Sequence, residues 1–370
     1  MIHTSLWTAL TVVITTVGMN AAAAFALSDP ALRIIEVVPT DSTTSVPYDA
    51  DDPSIWIHPR EPEKSLILGT DKAKVHGGLY VWDLEGNLLQ YIPLNRPNNV
   101  DVRHNMQLST GPVDIAVVNI REEQALRVYA IDPETRRLTD ITTPDGIKTP
   151  EIEEAGGVSL YRRPRDGAMF VITSSDEGPS ASMLYQYRLQ DDGSGRVKGT
   201  LVRTFAHNVI LDKVEGLVVD DELGYIYASD EEFAVRKFYA DPDLNRDDQI
   251  TEFAPRDDGI RGDREGLAIY KCDERTGYIL LSNQKSGTVK VYPREGVKGN
   301  PHYHPLLATI YTKDSRETDG LDVTSAAIPP LYPQGFLVKH DSPRRLFRIY
   351  SWEQVVGAYI KSCSGEQSRK

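Results

Sequence analysis

Histidine, cysteine and long apolar runs are all scarce in this chain of 370 residues. Its eight histidines are scattered without the spacing of metal ligands, which argues against a zinc site of the usual kind. Basic residues are outnumbered, with 41 Lys and Arg against 54 Asp and Glu, and the formal net charge is −13. A basic footprint for nucleic acid is therefore missing, and no segment beyond the N-terminal region is apolar enough to span a membrane. We expect neither nucleic acid nor a membrane as a partner.

The N-terminal segment is the most apolar part of the chain. Residues 6–17 are predominantly apolar and are followed by a run of small residues that ends at Ala26. This pattern is typical of a secretory signal peptide and its cleavage site, although only His3 precedes it as a basic residue. We predict a signal peptide over residues 1–26, a single domain over residues 27–370, and a secreted or periplasmic location.

A repeated pattern organises the rest of the chain. At six places a short apolar strand begins directly behind an acidic or small polar residue, and the steps between these places are 47, 58, 59, 50 and 54 residues. A period of this size marks the blades of a β-propeller. The six repeat positions are Asp52, Asn99, Gly157, Gly216, Gly266 and Gly320.

Each repeat continues with further strands that alternate apolar and polar residues between Gly, Asp and Pro turns. Five repeats contain four such strands, whereas the sixth lacks its fourth because the chain ends soon after Trp352. We predict that an N-terminal strand at residues 33–38 supplies it and closes the ring. The predicted fold is all-β, a six-bladed β-propeller with four antiparallel strands per blade, closed by an N-terminal strand.

The two cysteines fit an oxidising compartment. Cys272 falls in the first turn of the fifth repeat, and Cys363 falls in the C-terminal tail. The sequence leaves open whether they form a disulfide or remain two unpaired thiols, because connectivity is not encoded in spacing alone.

Acidic residues at the strand openings are the candidate functional groups. The first strand of each propeller blade lines the central channel, so these carboxylates are expected to converge on one mouth of the ring. Close carboxylates repel one another unless some are protonated or cations lie between them, and an all-oxygen ligand set suits Ca²⁺ better than zinc or copper. The alternative for any single acid is that it only caps a strand or makes a turn. The acids expected at the mouth are Asp51, Asp52, Asp101, Glu215, Asp263, Glu265 and Asp319.

Two motifs give the chain a resemblance to a known family. The segment from Asp49 to Trp56 and the segment from Asn98 to His104 resemble the signatures of the first two blades of β-propeller phytases, which are calcium-dependent phosphatases of inositol phosphates. Further matching segments follow in the family's order, so that the similarity runs from about Arg33 to Trp352. These segments contain Arg121, Glu215-Gly216, Asp230-Glu231-Glu232, Asp263-Arg264-Glu265-Gly266 and Thr318-Asp319-Gly320.

The resemblance implies a calcium-dependent hydrolase of phosphomonoesters, of the 3-phytase type, acting on myo-inositol hexakisphosphate through a metal-activated water. It assigns phosphate contacts to Arg121 and to one lysine, either Lys72 or Lys74, and it assigns a structural calcium to Asp52 and the Val100 carbonyl. A cluster of calcium ions is expected to bridge acidic side chains and two neighbouring phosphates. The implied ligands of this catalytic cluster are Asp51, Glu215, Glu231, Asp263, Glu265 and Asp319.

Two departures from the family pattern lie close together in the third repeat. Gly156 stands where the family typically has an aromatic residue, and Ser174-Ser175-Asp176-Glu177 stands where it has a lysine. Such changes are compatible with a weakened or altered phosphatase, and also with loop variation that has no consequence.

Two other functions are compatible with the sequence. A lactonase or esterase propeller also carries calcium in its channel but has no need of Arg121 or a nearby lysine. A calcium-stabilised binding propeller without turnover is the non-enzymatic alternative, which the missing lysine of the third repeat favours. For all three functions we expect a monomer.

Overall fold

The computed structural model describes residues 33–152, 154–176, 184–313, 315 and 317–363, which form six β-sheets arranged as blades around a channel. The innermost strand of each blade contacts that of the next, and the innermost strand of blade 6 contacts that of blade 1, so the ring is closed. The predicted six-bladed β-propeller is thereby confirmed. Helical structure in the described ranges is limited to short 3-10 turns at Pro62–Lys64, Arg121–Glu123, Pro242–Leu244, Arg256–Asp258, Ser342–Arg344 and Trp352–Gln354.

Each blade consists of four antiparallel strands that follow one another from the channel outward. From blade 1 to blade 6, the innermost strands are Ala50–Trp56, Pro97–Leu108, Ala155–Arg162, Leu217–Asp220, Arg264–Lys271 and Leu321–Thr324. The second strands are Leu66–Asp71, Gly111–Ile120, Met169–Ser175, Tyr225–Asp230, Gly277–Asn283 and Phe336–Asp341. The third strands are Gly78–Trp82, Ala125–Asp132, Leu184–Asp191, Ala234–Tyr239, Thr288–Pro293 and Leu346–Ser351. The outermost strands are Leu88–Pro93, Arg137–Asp140, Val197–Phe205, Thr251–Phe253, Ala308–Thr312 and, in blade 6, Asp41–Ser42. Two further strands are Ile34–Val37 and Ile147–Lys148.

The hydrophobic core lies between adjacent blades. Val117 and Leu126 of blade 2, for example, pack in one cluster with Leu160 and Tyr185 of blade 3. Because each sheet is covered on both faces, its central strands are apolar along most of their length, and each fully buried aliphatic side chain contributes about 1.5–3 kcal/mol. These interfaces hold the innermost strands rigidly around the channel.

The N-terminal strand that closes the ring differs from the predicted one. The strand Ile34–Val37 pairs in parallel with Ala308–Thr312 and extends blade 5, whereas the short strand Asp41–Ser42 pairs with Leu346–Ser351 and completes blade 6. The apolar residues at 34–37 predicted a strand correctly but not its partner. Pro39 separates the two segments, so the chain can add one strand to each of two neighbouring blades. The prediction that residues 33–38 complete the sixth blade is therefore wrong, while closure by an N-terminal strand is confirmed.

Cys272 and Cys363 are joined in a disulfide, with Cα atoms 4.8 Å apart. This bond ties the C-terminal segment to the first turn of blade 5 and settles the question that the sequence left open. Tyr270 and Trp352 stack close by, with ring centroids 4.0 Å apart, at the junction of blades 5 and 6. No helix in the described ranges has the length and apolar character needed to cross a membrane. The predicted signal peptide lies outside the described residues.

Candidate active site

One residue position in each repeat builds a ring at the mouth of the channel. It is the residue directly before each of the six repeat positions. In four blades the innermost strand has a β-bulge at this point, which redirects the side chain relative to the regular pleat. Blades 1, 4, 5 and 6 place a carboxylate in the ring, blade 2 places an amide, and blade 3 places no side chain. The ring residues are Asp51, Asn98, Gly156, Glu215, Glu265 and Asp319.

Close contact between neighbouring blades explains the glycines that follow the acids. A Cβ atom on Gly216 would lie 2.1 Å from the Glu265 carbonyl oxygen, and one on Gly320 would lie 2.6 Å from the Asp52 Cα. Since no side chain fits there, glycine lets successive innermost strands approach one another at the mouth. The acids that precede these glycines are thereby brought close together.

Three glutamates form the tightest acidic group. One carboxylate oxygen from each of Glu215, Glu231 and Glu265 lies within 4.8 Å of the others. Glu231 comes from the turn after the second strand of blade 4, and its side chain is fully buried. Burial raises the pKa of Glu231 to about 9, and the nearby carboxylate of Glu215 adds to this shift. Oε1 of Glu231 and Oε2 of Glu265 accept no hydrogen bond from the described residues, so this group offers free oxygen ligands to a hard cation.

Asp51 and Asp319 form the adjoining part of the ring together with Lys72. The Lys72 Nζ lies 2.7 Å from Oδ1 of Asp51 and 3.5 Å from Oδ2 of Asp319. Burial raises the pKa of Asp51 to about 7, against the opposing effect of the lysine. Burial acts in the same direction on Asp319, but His340 and Lys72 together hold the pKa of this carboxyl below its usual value. The second oxygen of Asp51 accepts no hydrogen bond from the described residues.

The structure distinguishes the two candidate lysines. Lys72 lies between two ring acids, whereas Lys74 has 71% of its side chain exposed and lies 3.4 Å from Glu122 outside the ring. Lys72 is therefore the lysine of this segment that is close to the acidic cluster.

Arg121 lies beside the same cluster, on the blade 2 side. It begins the 3-10 turn that follows the second strand of blade 2, and its Nε donates to the Ala155 carbonyl at 2.8 Å. Its Nη2 lies 2.9 Å from Oε1 of Glu215 and 3.1 Å from Oδ2 of Asp176. The guanidinium thus bridges a ring acid and the acid at the end of the second strand of blade 3.

Asp263 and Asp52 lie next to the cluster rather than within the tight glutamate group. Asp263 is half-buried and is close enough to raise the pKa of Glu231, after the larger effects of burial and Glu215. Asp52 turns towards blade 2, where its Oδ2 accepts a hydrogen bond from the Val100 N–H at 3.2 Å. Burial also raises the pKa of Asp52, with the Asp51 charge contributing. Asp52 also lines the cavity in the channel.

The prediction that Asp101 lies at the mouth is wrong. Its carboxylate accepts hydrogen bonds from Ser159 Oγ at 2.9 Å and the Leu160 N–H at 2.7 Å, and Arg103 Nη1 lies 3.1 Å away. In blade 2 the ring position belongs to Asn98, and an acid three residues further along the strand lies deeper in the channel. There Asp101 lines a cavity of about 370 Å³ together with Asp322 of blade 6.

Several polar residues at the site were missed in the sequence. Arg96 makes a bidentate ion pair with Glu154 at 2.8 and 3.0 Å, and its carbonyl accepts the Arg121 N–H at 3.1 Å. Gln284 Nε2 donates to Oε1 of Glu265 at 2.7 Å. Lys213 Nζ lies 3.2 Å from Oε2 of Glu231. All three side chains come from loops, where no strand periodicity predicts the position of a residue. Only Lys213 could have been found from the sequence, because it lies two residues before Glu215.

The mouth therefore combines an arc of carboxylates from blades 4, 5, 6 and 1 with cations at its edges. A carboxylate cluster of this kind repels an anionic substrate unless cations lie between the two. The donor set consists of carboxylate oxygens, several of them buried and without hydrogen-bond donors among the described residues, which fits calcium.

Comparison with known proteins identifies relatives of this chain. The sequence matches the family model named Phytase over residues 2–363. It is also 34% identical over 326 residues to a 3-phytase from Bacillus subtilis (strain 168), an alignment that covers 85% of this chain and 82% of that relative.

Proposed function

Because the chain belongs to the phytase family, we propose that it releases phosphate from myo-inositol hexakisphosphate and that it requires calcium at the mouth of its channel. The observation that carries this proposal is the contact between Arg121 and Glu215, at 2.9 Å. An arginine suited to phosphate therefore lies beside a carboxylate suited to calcium. A phosphate that is bound both by the protein and by calcium ions needs these two groups next to each other.

We propose that Glu215, Glu231 and Glu265, together with Asp51, Asp263 and Asp319, hold the catalytic calcium ions. Calcium bound there supplies positive charge to the phosphate oxygens and lowers the pKa of a coordinated water. The buried carboxylates fix the position of that charge, since the innermost strands that carry them are packed between blades. Asp52 and the Val100 carbonyl are the proposed ligands of a separate, structural ion.

The protein's own cations position the phosphate. Arg121 presents a planar, positively charged fork of N–H donors that matches two phosphate oxygens. Lys72 adds a point charge from blade 1. Charge that develops on the transferring group is stabilised by these donors, which are held in place because each follows a second strand that is hydrogen-bonded on both sides within its blade.

The cations at the mouth also favour a phosphate ester over a lactone, which carries no charge for Arg121 or Lys72 to bind. The deciding experiment is phosphate release from myo-inositol hexakisphosphate by the purified protein, with calcium and then with a chelator. Phosphate release in the presence of calcium but not of the chelator supports the proposal. Hydrolysis of a lactone without phosphate release would replace it with the lactonase function. Binding of the substrate without turnover would identify a binding propeller.

We further propose a secreted or periplasmic location. The disulfide between Cys272 and Cys363 supports it, because such bonds persist in oxidising compartments. The monomeric state remains a prediction that gel filtration can test.

A further inference from the structure

We propose that Lys213 binds a second phosphate group of the substrate, which shares Arg121 with the transferring phosphate, at the place where the carboxylate ring is interrupted in blade 3. This inference rests on the proposed function, which already expects two neighbouring phosphates, and adds to it the residue that contacts the second one. It predicts that Lys213 contributes more to the binding of substrates with neighbouring phosphates than to that of simple monoesters.

The interruption of the ring is built into the backbone. Gly156 holds the ring position of blade 3, and a Cβ atom there would lie 2.2 Å from the Val214 carbonyl oxygen and 2.8 Å from Ser174 Oγ. No side chain fits at this position without a shift of the neighbouring backbone. The space that a ring side chain would occupy in blade 3 is taken by the segment that carries Lys213.

Hydrogen bonds fix that segment on both sides. The Val214 carbonyl accepts the Gly157 N–H at 2.9 Å and the Ser174 hydroxyl at 2.5 Å. The Lys213 carbonyl accepts the Glu231 N–H at 3.2 Å. Gly156 and Ser174 lie in the two segments that depart from the family pattern, so both departures take part in one arrangement that positions Lys213.

The lysine reaches the site from this anchor. Its Nζ lies 3.2 Å from Oε2 of Glu231 and 4.0 Å from Oδ1 of Asp176, while Arg121 Nη2 lies 3.1 Å from the other oxygen of Asp176. The Asp176 carboxylate thus lies between the ammonium of Lys213 and the guanidinium of Arg121. A phosphate oxygen has the same charge and similar acceptor geometry, and a phosphate arriving beside Asp176 would meet both donors.

Exposure separates Lys213 from the rest of the cluster. The Lys213 side chain is 37% exposed, against 9% for Arg121 and 0% for Glu231. Its ammonium can therefore contact a group that enters from solvent without displacing the packed core. Lys213 lies on the blade 4 side of the gap and Lys72 on the blade 1 side of the ring, which gives the mouth two separate cationic edges for two phosphates.

The test compares the wild-type protein with Lys213→Gln, Lys213→Arg and the control Lys198→Gln, which removes an exposed lysine from the outermost strand of blade 3. Binding of myo-inositol hexakisphosphate to the calcium-loaded protein is measured by calorimetry. Turnover is measured on that substrate and on p-nitrophenyl phosphate. Melting temperatures show whether each variant folds.

Loss of one charge-assisted contact predicts that Lys213→Gln weakens binding of the hexakisphosphate and lowers its kcat/KM by about tenfold or more. Hydrolysis of p-nitrophenyl phosphate by Lys213→Gln should fall by a smaller factor than hydrolysis of the hexakisphosphate, because the monoester has no second phosphate. Lys213→Arg should retain most of the affinity, and Lys198→Gln should match the wild type. Equal affinity in Lys213→Gln and the wild type would overturn the proposal while leaving the phytase function in place. If the wild type binds the hexakisphosphate without turnover, the hydrolase function is refuted, and the affinity of Lys213→Gln still tests the role of Lys213. If the wild type does not bind it, both the hydrolase function and the role of Lys213 are overturned.

Discussion

The Nζ of Lys72 lies 2.7 Å from Oδ1 of Asp51, so a proposed phosphate contact and a proposed calcium ligand touch each other at the mouth of the channel. The same relationship recurs between Arg121 and Glu215, at 2.9 Å. Each cation therefore stabilises a buried carboxylate and also lies where it can bind an anion held by metal. When calcium and phosphate bind together, the carboxylates of these pairs can contact calcium and the cations can contact phosphate.

Lys72→Gln should lower kcat/KM for the hexakisphosphate by about tenfold or more, because it removes a charged donor from the site. Lys74→Gln should have a much smaller effect, since that side chain lies outside the ring beside Glu122. Steady-state kinetics at saturating calcium measure both variants. A larger loss in Lys74→Gln than in Lys72→Gln would show that the assignment of the two lysines is wrong.

Glu231→Gln should weaken calcium binding by about tenfold or more, because changes even to the outer partners of metal ligands cost that much. Isothermal titration with calcium measures the effect, and Glu232→Gln is the matched control, since Glu232 is exposed on the same turn. Unchanged calcium affinity in Glu231→Gln would remove this glutamate from the metal site.

The stability of the chelated protein should fall as pH rises from about 5 to about 9. Burial raises the pKa of Asp51 from 3.8 to about 7 and that of Glu231 from 4.5 to about 9. Between the unfolded and folded values the native state retains protons that the unfolded chain has lost, so raising the pH favours unfolding. Melting temperatures across this range measure the slope.

Calcium should reduce that slope, because it binds the ionised carboxylates of the native state. Glu231→Gln should also flatten the slope in the chelated protein, since one of the raised groups is then absent. Stability that rises with pH in the chelated wild type would contradict the assigned pKa directions.

Replacing both Cys272 and Cys363 by serine should lower the melting temperature while leaving kcat nearly unchanged at lower temperature. The bond closes a segment with a sequence separation of 91 residues. Chain entropy assigns roughly 4–5 kcal/mol to such a loop, which corresponds to a drop of about 5 °C or more. Differential scanning calorimetry measures the change. An identical melting temperature in the wild type and the double variant would indicate that the disulfide does not constrain the unfolded chain.

The repeat predicted the blades and much of the ring because both depend on local periodicity. Asp51, Glu215, Glu265 and Asp319 each stand directly before a repeat position, at or near the start of an innermost strand, and the structure brings all four to the mouth. Asp101 was predicted at the mouth but lies deeper in the channel, because blade 2 contributes Asn98 to the ring and Asp101 follows three residues later in the strand.

The remaining features depend on contacts between segments that are distant in sequence. The mostly apolar residues at 34–37 identified a strand but could not specify that Ala308–Thr312 is its partner. Lys213 and Arg96 lie in loops, and their distances from the cluster are set by hydrogen bonds to neighbouring blades. The choice between Lys72 and Lys74 likewise depends on the path of the loop that carries them, which the sequence does not specify.

The most direct test of the central claim is calcium binding measured by equilibrium dialysis with and without inorganic phosphate, at concentrations that keep calcium phosphate dissolved. If calcium joins the carboxylates to phosphate, each ligand must increase the affinity of the other by the same factor. We predict more bound calcium at a given free concentration when phosphate is present, with a smaller increase in Arg121→Lys. Calcium binding that is the same with and without phosphate would contradict the account.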